Sequence, residues 1–208
     1  YSLLKEVKES FDPQNVFNPG KIVDSPPMDT SLRYEEGQKT PEIDTIMDFS
    51  EHNGYIQSAE MCNGSGDCRK THLSGGTMCP SYMATKNEAD TTRARANALR
   101  EYLSKSSNDE IFNQEEIKEV LDLCLSCKGC KSECPSNVDM AKLKAEFTYQ
   151  NNKINGTPFR DKLFASFDKA NSMASRFPMA YNFITQNKLL SPLIKSAMGI
   201  HTSRSFPK

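Results

Sequence analysis

Four cysteines in the second half of the chain are spaced as thiolate ligands of iron–sulfur clusters. They lie in the run Cys124-Leu-Ser-Cys127-Lys-Gly-Cys130-Lys-Ser-Glu-Cys134-Pro135, which has the pattern C-x2-C-x2-C-x3-C-P. In this pattern the first three thiolates hold three corners of one cluster, whereas the cysteine before proline ligates a second cluster. The run therefore predicts a partner motif elsewhere in the chain.

The partner motif lies at Cys62, Cys68 and Cys79, the last of which precedes a proline. Exchange of the pre-proline cysteines between the two motifs predicts two ligand sets. Site one, expected to hold a [4Fe–4S] cluster, has four thiolates: Cys79, Cys124, Cys127 and Cys130. Site two has three: Cys62, Cys68 and Cys134.

Site two lacks one cysteine, because Ser65 stands where the C-x2-C spacing requires the middle ligand. Three thiolates can hold a [3Fe–4S] cluster, or a [4Fe–4S] cluster whose fourth iron has a weaker ligand. Ser65 is the candidate fourth ligand by position, and Asp67 and His72 are nearby oxygen and nitrogen alternatives. The other interpretation of Ser65 is a small turn residue between Gly64 and Gly66.

Zinc or disulfide bonds are the alternative uses of these cysteines. Zinc prefers two well-separated ligand pairs around a tetrahedral point, which a run of C-x2-C steps ending in C-P suits badly. Seven cysteines form an odd and tightly spaced set, which fits metal ligands better than a disulfide framework and indicates a reducing compartment. The formal net charge of -1 argues against nucleic acid as the main partner.

The elements that must position the cysteines are predicted to be helices, because strand-like alternation is hardly seen. One helix is expected near residues 90–105. A second begins at Asn113, with Glu116 as its capping-box partner, and repeats apolar residues at helical spacing as far as Cys124 and Leu125. That stripe places Cys124 on a buried face at the end of a helix.

Further helices are predicted after the second motif. Ser136 or Asp139 is expected to cap a third helix. A longer amphipathic helix then carries apolar residues from Leu163 to Phe177, and short helical pieces follow, with Gly199 as a C-terminal cap. The predicted fold class is therefore mainly α, with an N-terminal extended tail and C-terminal helices.

Basic residues near the two motifs have two interpretations. They could offset the negative charge of a thiolate-ligated cluster or guide an acidic redox partner, or they could form a solvated face. These residues are Lys128, Lys131, Lys142, Lys144, Arg93, Arg95 and Arg100.

Several stretches together resemble a known family. They are Cys62-Asn-Gly-Ser-Gly-Asp-Cys68-Arg-Lys, Gly76-Thr-Met-Cys79-Pro-Ser-Tyr82-Met-Ala-Thr, Arg93-Ala-Arg95-Ala-Asn97, Asp122-Leu-Cys124, Asn137-Val-Asp139-Met-Ala-Lys-Leu-Lys and, upstream, Phe11-Asp-Pro-Gln-Asn-Val-Phe-Asn-Pro-Gly-Lys21-Ile. The chain resembles the ferredoxin segment of large FAD-linked oxidases of the D-lactate, glycolate and D-2-hydroxyglutarate dehydrogenase type.

The resemblance, with the turn-rich composition after residue 22, implies a domain organisation. Residues 1–22 would be the tail of an FAD-linked oxidase C-terminal domain and 23–50 a linker. Residues 51–155 would form an α-helical ferredoxin domain, as in the iron–sulfur subunit of succinate dehydrogenase, and 156–208 a helical extension toward a missing C-terminal domain. In that subunit a C-x5-C-x3-C-P motif holds a [3Fe–4S] cluster, which favours this cluster type at site two.

The resemblance also implies a function. An FAD in the parent protein, reduced by a 2-hydroxy acid, would pass single electrons through this module to a quinone or a protein acceptor. The partners would be the upstream FAD domain and, as often in the family, a downstream cysteine-rich domain. This fragment alone is not expected to bind FAD or turn over substrate. The alternative is a structural or redox-sensing docking module without electron relay.

The expected location is the cytoplasm, at most peripheral to the inner membrane. No apolar run approaches the roughly 18–20 residues of a spanning helix, and no signal peptide is visible.

Overall fold

The computed structural model describes residues 1–34, 36–105 and 111–206. The chain divides into two compact units, Tyr1–Thr40 and Pro41–Lys208. In the described residues all regular structure is helical and no strand is found, which confirms the mainly α fold class.

Eleven α-helices are found in the described part of the chain. They are α1 (Ser2–Phe11), α2 (Tyr55–Glu60), α3 (Pro80–Thr85), α4 (Thr92–Lys105), α5 (Glu115–Asp122), α6 (Gly129–Glu133), α7 (Met140–Asn155), α8 (Phe159–Ala165), α9 (Phe167–Ala174), α10 (Pro178–Gln186) and α11 (Leu190–Ala197). Short 3-10 helices span Ser50–His52, Asp67–Arg69 and Glu88–Asp90.

The first unit contains α1 and a segment of turns. Helix α1 ends at Phe11 and is followed by its C-cap residue Asp12, whose carboxylate accepts a hydrogen bond from the Lys8 ammonium group. The same carboxylate accepts the backbone N–H groups of Val16 at 2.9 Å and Phe17 at 2.9 Å. Asp12 therefore fixes the turn that follows the helix.

The core of the second unit lies among α2, α4, α5 and α7. Leu99, Ile117 and Phe147 are buried there. The Tyr55 hydroxyl donates to the backbone oxygen of Leu143 at 2.9 Å, so α2 and α7 are joined by a buried hydrogen bond as well as by apolar packing. This core surrounds four of the seven cysteines.

A buried carboxylate anchors the segment before α2 to α7. Glu146 is fully buried, and its oxygens accept the backbone N–H groups of Ile46 at 3.3 Å and Met47 at 3.1 Å. Gln150, one turn later on α7, donates to the same carboxylate at 2.8 Å. These bonds compensate for removing the carboxylate from water.

Helix α5 begins later than the sequence pattern predicts. The capping box at Asn113 is wrong, because the helix starts at Glu115 and the N-cap residue is Gln114, whose side chain makes no capping bond. The Asn113 side-chain oxygen instead accepts a hydrogen bond from Asn155 at 2.9 Å. The predicted apolar stripe also ends early, since Leu125 is 70% exposed.

The long helix predicted from Leu163 to Phe177 is wrong as a single element. Ser166 separates α8 from α9, with φ -104° and ψ 19°. Its hydroxyl donates to the Lys162 carbonyl at 2.7 Å, a local bond that competes with regular helix geometry.

No helix of the described residues is long and apolar enough to cross a bilayer.

Two predicted helix caps are confirmed. The Asp139 carboxylate accepts the Lys142 backbone N–H at 3.1 Å at the start of α7. After α11, Gly199 adopts φ +64°, and the Ile200 N–H bonds back to the Lys195 carbonyl at 2.7 Å. This is the hydrogen-bond pattern of a glycine-terminated helix.

Candidate metal centre

Two distant parts of the chain meet at one cavity to form site one. The cavity is small, about 20 Å³ in volume, and is partly open to solvent. Its walls include the four cysteines of the predicted set: Cys79, Cys124, Cys127 and Cys130. In the described ranges no three His, Cys, Asp or Glu side chains lie close enough together to hold one metal ion, so site one is defined by the cavity that its cysteines line.

Cys79 reaches the cavity from a strained backbone. Its φ is +55°, in the left-handed region that non-glycine residues rarely adopt, and Pro80 follows as the first residue of α3. The Cys79 sulfur accepts the Thr92 backbone N–H at 3.0 Å and lies 2.8 Å from the Thr92 hydroxyl oxygen. The positive end of α4 is therefore directed at this sulfur.

The loop that carries the other three cysteines turns through left-handed residues. Ser126 has φ +52° and Lys128 has φ +60°. Gly129, by contrast, is needed because another part of the chain comes close to it. A Cβ at Gly129 would lie 3.1 Å from the Thr77 hydroxyl oxygen and 3.2 Å from the Thr77 carbonyl oxygen. The two cysteine motifs therefore approach each other through their backbones at this point.

Cys130 lies in the short helix α6, and the start of the long helix α7 faces its sulfur. Burial raises the pKa of the Cys130 thiol, and the backbone N–H groups of Met140 and Ala141 at the start of α7 act in the opposite direction. Burial likewise raises the pKa of Cys79, against the hydrogen bonds from Thr92. Iron would reverse this balance, since coordination to a cation deprotonates a thiol.

Site two, like site one, has a cysteine that faces the first turn of α4. Cys68 and Cys134 are buried in the core, and Cys62 is half-buried against it. Burial raises the pKa of the Cys68 thiol, whereas the backbone N–H of Arg93 and the hydroxyl of Thr91 act in the opposite direction. The first turn of α4 thus provides hydrogen-bond donors to a sulfur of each site.

The residue at the missing-cysteine position lies in an exposed turn. The Ser65 backbone N–H donates to the Asn63 side-chain oxygen at 3.0 Å, and Gly64 and Gly66 on either side have φ +79° and +82°. This geometry supports the turn interpretation, and ligation by Ser65 stays a prediction. Of the other candidates, His72 is exposed.

Glu133, next to Cys134, joins the two cysteine motifs through hydrogen bonds. Its carboxylate accepts the Thr77 N–H at 2.7 Å, the Thr77 hydroxyl at 2.8 Å and the Met78 N–H at 3.2 Å. These bonds, led by that from the Thr77 backbone, lower the pKa of Glu133. Because Met78 precedes Cys79, the carboxylate holds the Cys79 segment against α6.

The four lysines near the second motif have local partners. Lys128 and Lys131 lie 3.1 and 3.7 Å from the Asp139 carboxylate. Lys144 donates to the Cys124 carbonyl at 2.8 Å. Lys142 donates to the Asp48 carbonyl and lies over the Phe49 ring. These contacts hold the backbone around site one.

Of the two interpretations of Arg95, the solvated face is wrong, since the side chain is 2% exposed. The sequence does contain a signal for this burial, namely the position of Arg95 on the apolar face of its helix. Leu99 and Leu103 follow it at i+4 and i+8, and both are 1% exposed. Thr92 was missed, because a helix start thirteen residues after Cys79 carries no local sign of contact with it.

Known proteins resemble this chain across the region that carries the cysteines. Residues 61–139 match the family described as "4Fe-4S dicluster domain". The chain is 25% identical, over 96% of its length, to D-2-hydroxyglutarate dehydrogenase of Escherichia coli (strain K12), and 26% identical, again over 96%, to the Pseudomonas putida protein of the same name. It spans 23% of the length of each relative. No solved structure matches the chain.

These comparisons confirm the resemblance to the iron–sulfur segment of a dehydrogenase of this type. The dicluster match and the relatives support an iron–sulfur electron-transfer module with two clusters of the [4Fe–4S] kind. The cysteine assignment and a [3Fe–4S] cluster at site two stay predictions.

Proposed function

We propose that this chain relays single electrons through two iron–sulfur clusters, from an FAD reduced by a 2-hydroxy acid to a quinone or protein acceptor. The main observation in favour is that cysteines of two distant motifs line one cavity. The name D-2-hydroxyglutarate dehydrogenase, carried by the relatives, supports a 2-hydroxy acid as the electron source of the parent protein.

The surroundings of the cysteines suit clusters that accept electrons. The backbone N–H groups at the starts of α4 and α7 face sulfurs of Cys68, Cys79 and Cys130. Such donors stabilise negative charge on sulfur, and hydrogen bonds to cluster sulfurs raise the reduction potential. When bound, each cluster supplies a one-electron couple, and the chain supplies its ligands, its hydrogen bonds and a buried setting.

We assign a [4Fe–4S] cluster to the four thiolates of site one and a [3Fe–4S] cluster to the three of site two. The spacing of the cysteines supports this asymmetry. The turn at Ser65, in which its backbone N–H bonds to Asn63, further favours a site with three protein ligands.

Metal analysis of the anaerobically purified chain is the first test. We expect a brown protein with roughly seven irons, because a [4Fe–4S] and a [3Fe–4S] cluster together hold that number. The oxidised protein should show a paramagnetic signal from site two. Colourless protein with one or two zinc ions per chain would overturn the proposal.

The relay is tested in the full-length parent protein by rapid mixing with D-2-hydroxyglutarate. Flavin reduction should be followed by bleaching of the clusters, and Cys79→Ser should abolish the part of the bleaching due to site one. If the flavin is reduced while both clusters stay oxidised, the relay is wrong. Cluster-dependent partner binding without electron transfer would then favour the docking module.

A further inference from the structure

We infer that Arg95 positions the ligands of site one and raises the reduction potential of its cluster, an inference that rests on the proposed function. The Arg95 side chain lines the same cavity as the four cysteines of site one. It is fully buried, so its charge acts on the cavity with little screening by water.

The hydrogen bonds of Arg95 join the two parts of the chain that form site one. Nη1 donates to the Ser81 hydroxyl at 3.0 Å, and Nε donates to the Val120 carbonyl at 2.9 Å. Ser81 follows Cys79 by two residues, and Val120 lies in the last turn of α5, just before Cys124. One rigid guanidinium therefore fixes the distance between the segments that carry these two cysteines.

The charge of Arg95 is only partly compensated. Nη2 lies 3.5 Å from an Asp90 carboxylate oxygen, a long contact for an ion pair, and the shorter bond of 2.6 Å goes from Nη1 to the Asp90 backbone carbonyl. The Asp90 carboxylate is also held by the Thr85 hydroxyl at 2.6 Å. A cluster in site one becomes more negative on reduction, so the guanidinium stabilises its reduced form and Asp90 opposes this effect.

A purely structural arginine would behave differently from one that sets a potential. Loss of structure follows from any change that breaks the hydrogen bonds of Arg95, whether or not the positive charge remains. A shift in potential follows the charge, so it should take opposite directions when Arg95 or Asp90 is neutralised. The two roles can therefore be separated within one set of variants.

The experiment is an anaerobic redox titration, followed by EPR, of the cluster-loaded chain and three variants. In Arg95→Gln the ratio of reduced to oxidised site one at a fixed potential should fall about tenfold, equal to about 59 mV for a one-electron couple. In Asp90→Asn, which is nearly isosteric, the ratio should rise. Arg95→Lys keeps the charge, so the ratio should change far less than in Arg95→Gln.

Site two serves as the internal reference, and its potential should move less than that of site one. The inference is overturned if Arg95→Gln and Arg95→Lys shift site one equally, if Asp90→Asn shifts it downward, or if both sites move together. Should Arg95→Gln fail to hold clusters, the opposite-sign result in Asp90→Asn still decides the matter. Absence of clusters from the unmodified chain would instead overturn the proposed function.

Discussion

The start of α4 faces cysteines of both sites, but the two sites differ in how their last ligand position is filled. Site one is closed by Cys79, which comes from a distant segment, in a strained conformation, and is held by Thr92. At site two Cys134 is the counterpart of Cys79. The missing ligand is the counterpart of Cys127, and its position is taken by Ser65, in an exposed turn between Gly64 and Gly66. Long-range packing therefore fixes the last ligand of site one, whereas a local turn occupies the open position of site two.

The cations near the two sites differ as well. Arg95 at site one is buried with a long contact to Asp90. Arg93, whose backbone faces Cys68, places its side chain 2.6 Å from the partly exposed Glu88 carboxylate. Water and a close counter-ion weaken the field of Arg93. We therefore expect the potential of site one to depend more strongly on a nearby cation than that of site two.

The largest expected effect comes from removing the exchanged cysteines. Cys79→Ser should lose the cluster of site one, and Cys134→Ser should lose that of site two, although Cys134 lies in the run that serves site one. Each variant should therefore keep about half of its iron. Iron analysis with EPR measures this. If Cys134→Ser empties site one and leaves the signal of site two, the exchange of ligands is wrong.

Ser65→Cys should convert site two into a copy of site one. A fourth thiolate completes the C-x2-C-x2-C spacing, so iron should rise by about one per chain and the paramagnetic signal of the oxidised protein should disappear. Ser65→Ala is the matched control and should leave both unchanged. A changed signal in Ser65→Ala would show instead that the Ser65 hydroxyl is a ligand.

Glycine substitutions should separate steric from conformational constraints at the two sites. Gly129→Ala forces a Cβ against Thr77, and we expect a loss of about 1–3 kcal/mol in the free energy of unfolding, with weaker iron retention at site one. Gly64→Ala meets no neighbouring atom but has φ +79°, so about 1–2 kcal/mol of backbone strain is expected.

Urea denaturation and iron content of both glycine variants measure these effects. Unchanged stability and iron in Gly129→Ala would show that the two motifs do not depend on close backbone approach.

The smallest effects should come from two neighbouring threonines. Thr92→Val removes the hydroxyl beside Cys79 and keeps the backbone N–H, so the potential of site one should fall slightly. Thr91→Val removes the hydroxyl that faces Cys68 and should lower the reduction potential of site two. Redox titration of both variants provides the measurement, and equal shifts at both sites in either variant would contradict the assignment.

Ligand spacing and local caps were the most predictable parts of this protein. The C-x2-C steps predicted three of the cysteines that line site one, Cys124, Cys127 and Cys130, because a cluster imposes its spacing on the chain. The caps at Asp139 and Gly199 depend on a few adjacent residues and were also predictable. Both features are determined within a short stretch of sequence.

The features that were mispredicted depend on contacts between distant residues or on competing local bonds. Asn113 resembled a helix cap, but its side chain pairs with Asn155. Ser166 interrupts a regular apolar pattern because its hydroxyl bonds to the preceding turn. Arg95 is buried because Ser81, Asp90 and Val120 converge on it, which local sequence does not reveal.

The shared cavity of site one also sets an order of events during synthesis. Cys79 is translated well before Cys130, and at about 5–20 residues per second the ribosome needs roughly 3–10 s to cover the interval. During that time the thiol of Cys79 has no partner motif with which to close the cavity. Assembly of the proposed cluster at site one must therefore follow synthesis of the second motif, and the earlier cysteines must stay reduced until then.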